Sequence, residues 1–460
     1  MKKNSNITIM STALAYILFA ICWGTNIWKN TIWLGVLIFG LWIVITFFDF
    51  PMFYLRFPFV FFTAVTNIIG VLIIERKSLF LPELNTYGYP NKSLFYLLCT
   101  WFLVLATIFI LETLLPLYKF SPIRKDSIVY FKVGSILVPV FFIVEIIFTG
   151  FFLIQFLSIF PHPFFYEKMD RFLYAQKYIS PWQSKLIGYF TYIIPAVVAG
   201  TFHKNYRKMS LGALIVFAVY KFWIGEKFGA FFLIFCYAFM IISYLKQNVD
   251  LKIAVKYFLK ALLIILFLTG VIFGHRILLY HSTANQNKDY LVQRIAQNGQ
   301  LWWAMYDLSN SSNPDSSELN EELDVFFSSK NEPTYNSGIY KIMKKTTPLD
   351  LFWSKINNNS RYADSTFASI YYYFKEPGLL IAAILFGILF WGLTRFFLAA
   401  YSNMYIPELI ISGKMMIIMN TVLTQSDFYM IFSYQTMVCV FLIFCLGLCR
   451  SYSNRKNVVE

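Results

Sequence analysis

Apolar stretches about as long as a bilayer is thick recur from one end of this chain to the other, separated by short polar bursts. A membrane-crossing helix needs roughly 20 mostly apolar residues. By that measure twelve stretches qualify: 7–25, 31–49, 56–74, 94–117, 133–157, 185–202, 210–224, 228–245, 257–274, 378–399, 405–423 and 428–449. The seventh and eighth are short enough to form either two spans or one re-entrant pair. Backbone groups in lipid must be satisfied within the segment, which predicts helices rather than open strands. The expected fold class is therefore an all-α polytopic membrane protein of about twelve transmembrane helices.

The composition agrees. Charged residues make up 14% and apolar ones 58%, where a soluble domain carries about 25% charged residues. The formal charge of +15 would suit nucleic acid, but the basic residues fall in short clusters between apolar runs. That is the distribution of topology signals, and no nucleic-acid partner is expected. The first stretch contains Met10, Ser11 and Thr12 and is followed by no small-residue cleavage site, so it reads as a retained span. Cys22, Cys99, Cys236, Cys439, Cys445 and Cys449 all lie in apolar runs, which argues against a disulfide framework or a cysteine metal site. Heavy use of Phe, Ile, Lys and Asn points to an AT-rich bacterial gene.

Orientation follows from Lys and Arg in short loops. Lys2 and Lys3 precede the first stretch. Alternate loops then carry Lys119, Arg124, Lys125 and Lys132, next Lys204, Arg207 and Lys208, next Lys246, Lys252 and Lys256, and the tail carries Arg450, Arg455 and Lys456. Twelve spans put all of these on one side. Both termini are then cytoplasmic, in the bacterial inner membrane, and the large polar segment faces outward.

That segment, 275–377, divides the chain into spans one to nine (1–274), a large extracytoplasmic loop, and spans ten to twelve with a cytoplasmic tail (378–460). A loop of this length between spans is usually functional. Two further outer loops are expected at 75–93 and 158–184, and a tight tip at 225–229. Within the large loop, Leu291, Ile295, Trp302 and Met305 recur at helical spacing, predicting a helix over 286–307 on the bilayer surface with its Trp pair at the interface. A second such helix is expected over 364–375.

Charges inside or just above lipid are expensive and so become the first site candidates. Glu226 and Lys227 occupy the tip, with Lys221 a turn below. They form either a phosphate pocket with an orienting carboxylate, or a Lys snorkelling beside a solvated turn. Arg276, Arg294 and Arg171 lie in the outer loops, where a guanidinium fork suits an anionic lipid pyrophosphate or anchors at headgroups. His281 and His275 flank Arg276. A histidine titrating near neutrality can accept a hydroxyl proton, the alternative being an interfacial side chain. Glu145 and Lys414 sit mid-span and would pair with each other, as a structural ion pair or as part of a polar path. The run Asp315, Glu318, Glu321, Glu322 and Asp324 suits a divalent cation or, more simply, a solvated loop or short helix. No P-loop and no HExxH pattern is present.

In layout the chain resembles the Wzy-type O-antigen polymerases and the related O-antigen ligases. The likeness rests on roughly twelve spans, two outer loops of which the later is large, an Arg in each, and a short tip between two close spans. In that family the tip often reads Gly-Ser-Arg; here it is Gly225-Glu226-Lys227-Phe228, with the basic position kept as Lys and Ser replaced by Glu. The segment RIAQNGQLWW also looks like the start of the large loop in some of these polymerases. The resemblance implies a GT-C-like fold and undecaprenyl-pyrophosphate-linked oligosaccharides as substrates. It also implies glycosyl transfer without metal, nucleotide or other cofactor, and leaves room for a chain-length regulator protein as partner. Under it, Arg294, Arg276, Arg171, Lys227 and Lys221 would hold the pyrophosphate, where charge develops. Glu226 or His281 would act as base, and Trp302, Trp303 and Tyr306, with Phe164, would stack on sugar rings.

An O-antigen ligase shares this architecture and differs in its acceptor. A lipid-linked oligosaccharide transporter or flippase would be expected to show two similar halves and short loops. This chain has no visible repeat, and its polar mass sits in one loop. A sensor or structural membrane protein is the remaining alternative.

Overall fold

The computed structural model describes residues 10, 12, 14–15, 32–115, 139–147, 149–150, 177–203, 207–223, 229–246, 251–311, 314, 316–327, 338–358, 360–362, 366–402, 405–443 and 445. Among them the protein is an all-α membrane protein, and five helices are long and apolar enough to cross a bilayer.

The helices are α1 (Ile32–Asp49), α2 (Pro51–Arg56), α3 (Pro58–Lys77), α4 (Ser93–Leu114), α5 (Pro181–Thr201), α6 (Arg207–Trp223), α7 (Gly229–Leu245) and α8 (Leu251–Tyr280). They continue with α9 (Ala284–Ala296), α10 (Gln300–Ser311), α11 (Ser316–Phe327), α12 (Gly338–Thr346), α13 (Leu349–Asn357), α14 (Thr366–Ser402), α15 (Ile406–Gln425) and α16 (Tyr434–Ile443). The membrane-length helices are α3, α4, α8, α14 and α15, while α1, α7 and α16 are shorter apolar ones. The stretch expected at 7–25, and much of that at 133–157, lies outside the described residues.

Several expected boundaries move. The third stretch is broken at Phe57, because Pro58 lacks an N–H and starts a new helix at its first position. The polar stretch at 75–93 holds the only strands among the described residues, a two-residue antiparallel ribbon in which Phe80 faces Tyr87 and Leu81 faces Thr86. The last stretch begins as a 3-10 turn at Phe428–Phe432 and becomes α-helical only at Tyr434. The helix expected over 286–307 is two, α9 and α10, separated by a turn at 297–299. The helix expected at 364–375 runs into the apolar stretch expected at 378–399 as one long α14, with a backbone kink at Lys375 (φ 52°, ψ −146°) just before Pro377.

The core centres on α4, which packs on α14, α3 and α1, with α15 joining α14 to α5. Trp42, Trp101, Phe102 and Phe109 are among its fully buried side chains. The polar segment folds onto the ends of these helices. α9 lies against α3, α10 against α3, α4 and α14, and α12 against α10 and α14. One close approach fixes this docking: a Cβ on Gly299 would stand 2.5 Å from Val71 N, and one on Gly70 would stand 2.8 Å from Gly299 N. Asn67 Nδ2 donates to Asn298 O at 3.3 Å beside that contact.

Candidate functional site

The Trp pair shows how firmly the polar segment is pinned. Trp302 Nε1 donates to Ser93 O at 2.8 Å, and Trp303 Nε1 to Tyr89 O at 3.0 Å. Glu75 in turn accepts from Ser93 Oγ (2.8 Å) and Leu94 N (3.0 Å), closing the start of α4. Trp302 and Trp303 are 2% and 3% exposed. Tyr306 is also buried and stacks on Tyr371 at 5.2 Å and 20°. These rings are therefore core of the polar segment and not open sugar platforms, nor does the Trp pair sit at a lipid interface. Of the apolar stripe of this segment, Trp302 and Met305 are buried while Leu291 is exposed.

Two polar centres remain. The first lies where α8 ends. A turn through His281 (φ 51°) sends the chain into α9, which opens with a capping box: Thr283 Oγ1 accepts from Gln286 N (3.3 Å), and Gln286 Oε1 from Thr283 N (2.8 Å). The turn folds α9 back so that Arg276 and Arg294 share one ring. Their guanidinium carbons stand 4.1 Å and 5.2 Å from the centre of Tyr290. Arg294 Nε donates to Tyr290 OH (3.1 Å) and its Nη1 to Gln297 Oε1 (3.1 Å). Arg276 Nε donates to Asn287 Oδ1 (3.0 Å). The structure thus brings together two arginines that sequence reasoning singled out separately, and Tyr290 spaces their like charges. Cation–π contact is worth about 0.5–1 kcal/mol at exposed sites and more where desolvated.

The second centre is built by α11, α12 and α14 and engages Glu318, Glu321 and Glu322 of the acidic run, which lie on a short helix as one of the two readings expected; Asp315 lies outside the described residues. Among the described residues no three potential metal ligands cluster. Instead Glu318 accepts from Lys345 Nζ (2.8 Å) and Tyr372 OH (3.0 Å), while Lys341 Nζ donates to Glu318 O (2.6 Å) and lies 3.7 Å from Glu321. Glu322 takes the N–H of Gly338 on both oxygens (2.8 and 3.1 Å). Gly338 has φ +55°, and a Cβ there would lie 3.0 Å from Ser426 O and 3.4 Å from Asp427 Oδ1, so glycine is what lets the carboxylates of Glu322 and Asp427 converge. Asp427 is 1% exposed, and its Oδ2 is paired with Arg361 Nη1 at 2.7 Å. Arg361 Nε also donates to Tyr340 OH (3.0 Å). A small pocket opens between Glu322, Lys341, Lys345, Tyr372 and Tyr373.

Burial is the dominant perturbation here. It raises the Glu322 carboxyl to about 6 against the Gly338 hydrogen bond and Lys341, with Asp427 adding to the rise. Burial likewise raises Asp427 to about 6 against Arg361. For Glu318 burial is outweighed by the hydrogen bonds from Lys345 and Tyr372, and its carboxyl falls below the usual range. Burial depresses the Lys341 ammonium despite Glu322, Glu318 and Glu321.

The other expected residues scatter. Lys221 is buried near the end of α6, its ammonium 5.8 Å from the Phe217 ring one turn below. His281 is exposed in the turn before α9. Glu226, Lys227, Arg171 and Phe164 lie outside the described residues. Glu145 and Lys414 do not pair: neither Glu145 oxygen has a hydrogen-bond partner among the described residues, and Lys414 Nζ sits 4.6 Å from the Tyr192 ring. Sequence reasoning missed Asn287 and Tyr290, although Tyr290 precedes Arg294 by four residues, a spacing that joins side chains on one helix face. Gly338, Arg361 and Asp427 carried no sequence signal.

Residues 332–440 match a family of unknown function (DUF6418). The matched segment holds Gly338, Lys341, Lys345, Arg361 and Asp427; the arginine pair of α8 and α9 precedes it. No curated protein and no solved structure matches the chain.

Proposed function

We propose that this chain is a Wzy-type polysaccharide polymerase of the bacterial inner membrane. In this reading twelve spans of GT-C-like arrangement hold the lid on the outer face, with both termini cytoplasmic. The substrates are undecaprenyl-pyrophosphate-linked oligosaccharides, and the growing chain passes from its lipid pyrophosphate to a sugar hydroxyl of the next unit. A pyrophosphate already leaves well once its developing charge is met, so the protein's main task is to place fixed cations there.

The observation that supports this reading is the pairing of Arg276 and Arg294 on Tyr290 at the end of a membrane-length helix. A polyprenyl chain alongside α8 would carry its pyrophosphate to that level. The test is the surface polysaccharide profile of a strain lacking this gene, complemented with wild-type protein, Arg276→Ala or Arg294→Ala. A polymerase gives a ladder that collapses to core plus one repeat unit on deletion. The wild-type gene restores it, and either substitution cuts long chains at least tenfold at equal protein level. Lipid-linked polymer accumulating without attached repeats would make the protein a ligase. A ladder unchanged by deletion would sink both.

A further inference from the structure

The turn between α8 and α9 holds more hydrogen-bond donors than acceptors. Asn287 is 2% exposed, and its Oδ1 accepts from both Arg276 Nε and Ser282 Oγ at 3.0 Å. Its amide Nδ2 is enclosed and has no hydrogen-bond partner among the described residues. A buried donor left unpaired is costly, and such groups in native proteins call for an explanation. Arg276 uses Nε and leaves both terminal nitrogens without an acceptor among the described residues. Neither Arg276 nor Arg294 forms an ion pair with a carboxylate there. The nearest acid in sequence, Asp289, follows Asn287 by two positions in α9 and so points to another face of that helix. The first turn of α9 adds its own positive partial charge.

We propose that this turn is an oxyanion site in which Asn287 Nδ2 and the terminal nitrogens of Arg276 take oxygens of one phosphate group. A planar guanidinium and an amide NH2 are donors only, so the missing partner is an acceptor, and the surplus of positive charge makes it an anion. The apolar run Leu251–Leu278 ends at the same level, so the phosphate is one borne by a membrane lipid, as a headgroup diester or as the pyrophosphate of a polyprenyl chain. Only the pyrophosphate source rests on the polymerase reading; the oxyanion assignment stands on the turn itself.

The informative variant is Asn287→Asp. It keeps an acceptor for Arg276 Nε and Ser282 Oγ, so the turn holds, but it replaces the free donor with a negative oxygen. The full-length protein in nanodiscs of neutral lipid is titrated with farnesyl pyrophosphate and with inorganic pyrophosphate, and compared with nanodiscs carrying phosphatidylglycerol, by native mass spectrometry. Wild-type protein retains a phosphate-bearing species, and Asn287→Asp and Arg276→Gln each weaken that retention about tenfold or more. Selective retention of farnesyl pyrophosphate assigns the site to a polyprenyl pyrophosphate. Equal retention of phosphatidylglycerol keeps the oxyanion site, assigns it to bulk headgroups and removes the support that the arginines lend to a polymerase. Binding by Asn287→Asp equal to wild type, or no phosphate species retained by wild type, overturns the proposal. Loss of the polysaccharide ladder is a separate readout, so the two ideas fail independently.

Discussion

At the scale of single residues, the convergence of Glu322 and Asp427 on Gly338 makes stability depend on pH. Their carboxyls stand near 6 in the folded protein, against ordinary values of 4.5 and 3.8. Both therefore bind protons more tightly folded than unfolded. The stabilisation that protonation brings is complete below about pH 4 and is lost as pH rises through about 6. The full shift is worth about 2 kcal/mol at Glu322 and about 3 kcal/mol at Asp427. Glu318 works oppositely, but its carboxyl lies below the usual range, so it stays ionised across this window. The purified protein should melt roughly one to two degrees higher at about pH 5.5 than at about pH 7.5, and Glu322→Gln should reduce that difference by roughly half. An unchanged pH dependence in Glu322→Gln would remove Glu322 from this linkage. None of this was legible in the sequence, because Glu322 and Asp427 are brought together only by long-range packing of α11 on the 3-10 turn. Arg276 and Arg294 were legible, since a charge beside an apolar run always invites a reason. Asn287 was not, because its role arises from the turn that folds α9 back on α8.

At the scale of elements, helical spacing over 286–307 was legible in the sequence, but neither its division into α9 and α10 nor what they face was. Leu291, Ile295, Trp302 and Met305 have helical spacing, which marks an apolar stripe without saying whether lipid or protein covers it. Protein covers its second half, where Trp302 and Met305 are buried, while Leu291 stays exposed, and the turn at 297–299 that splits the stripe is where Gly299 meets Gly70 backbone to backbone. A methyl on Gly299 would fall 2.5 Å from Val71 N and 2.9 Å from Gly70 C, neither of which can swing away as a side chain could. Gly299→Ala should therefore destabilise by about 1–3 kcal/mol, the usual range for overpacking, and loosen α9 and α10 from the helix bundle. Gly40→Ala in α1 is the control, since nothing lies within 4 Å of its added Cβ. Thermal unfolding in detergent and proteolysis between α9 and α10 measure the two effects. Equal stability of the two variants would mean that the glycine contact does not hold the lid.

At the scale of the whole molecule, everything proposed for the lid depends on its facing outward. The basic clusters that set this orientation were read from sequence alone. The structure adds lengths. α6 and α7 have 17 residues each, which at 1.5 Å per residue reach roughly 26 Å, a little short of a hydrocarbon core of about 30 Å. They either cross a thinned or tilted region or dip in as a pair. Lys208 at the start of α6 and Lys288 in α9 are both exposed, and they are separated by α6, α7 and α8. Whether α6 and α7 cross or dip, the number of crossings between those two lysines is odd, so they must lie on opposite sides. In a cysteine-free background, Lys288→Cys should react with a membrane-impermeant maleimide in intact spheroplasts, and Lys208→Cys only after permeabilisation. The reverse pattern would put Arg276 and Arg294 on the cytoplasmic face, out of reach of any lipid-linked sugar already moved outward, and would end the polymerase reading. Labelling of both from one side would mean that α8 does not span, although its apolar run is long enough to do so.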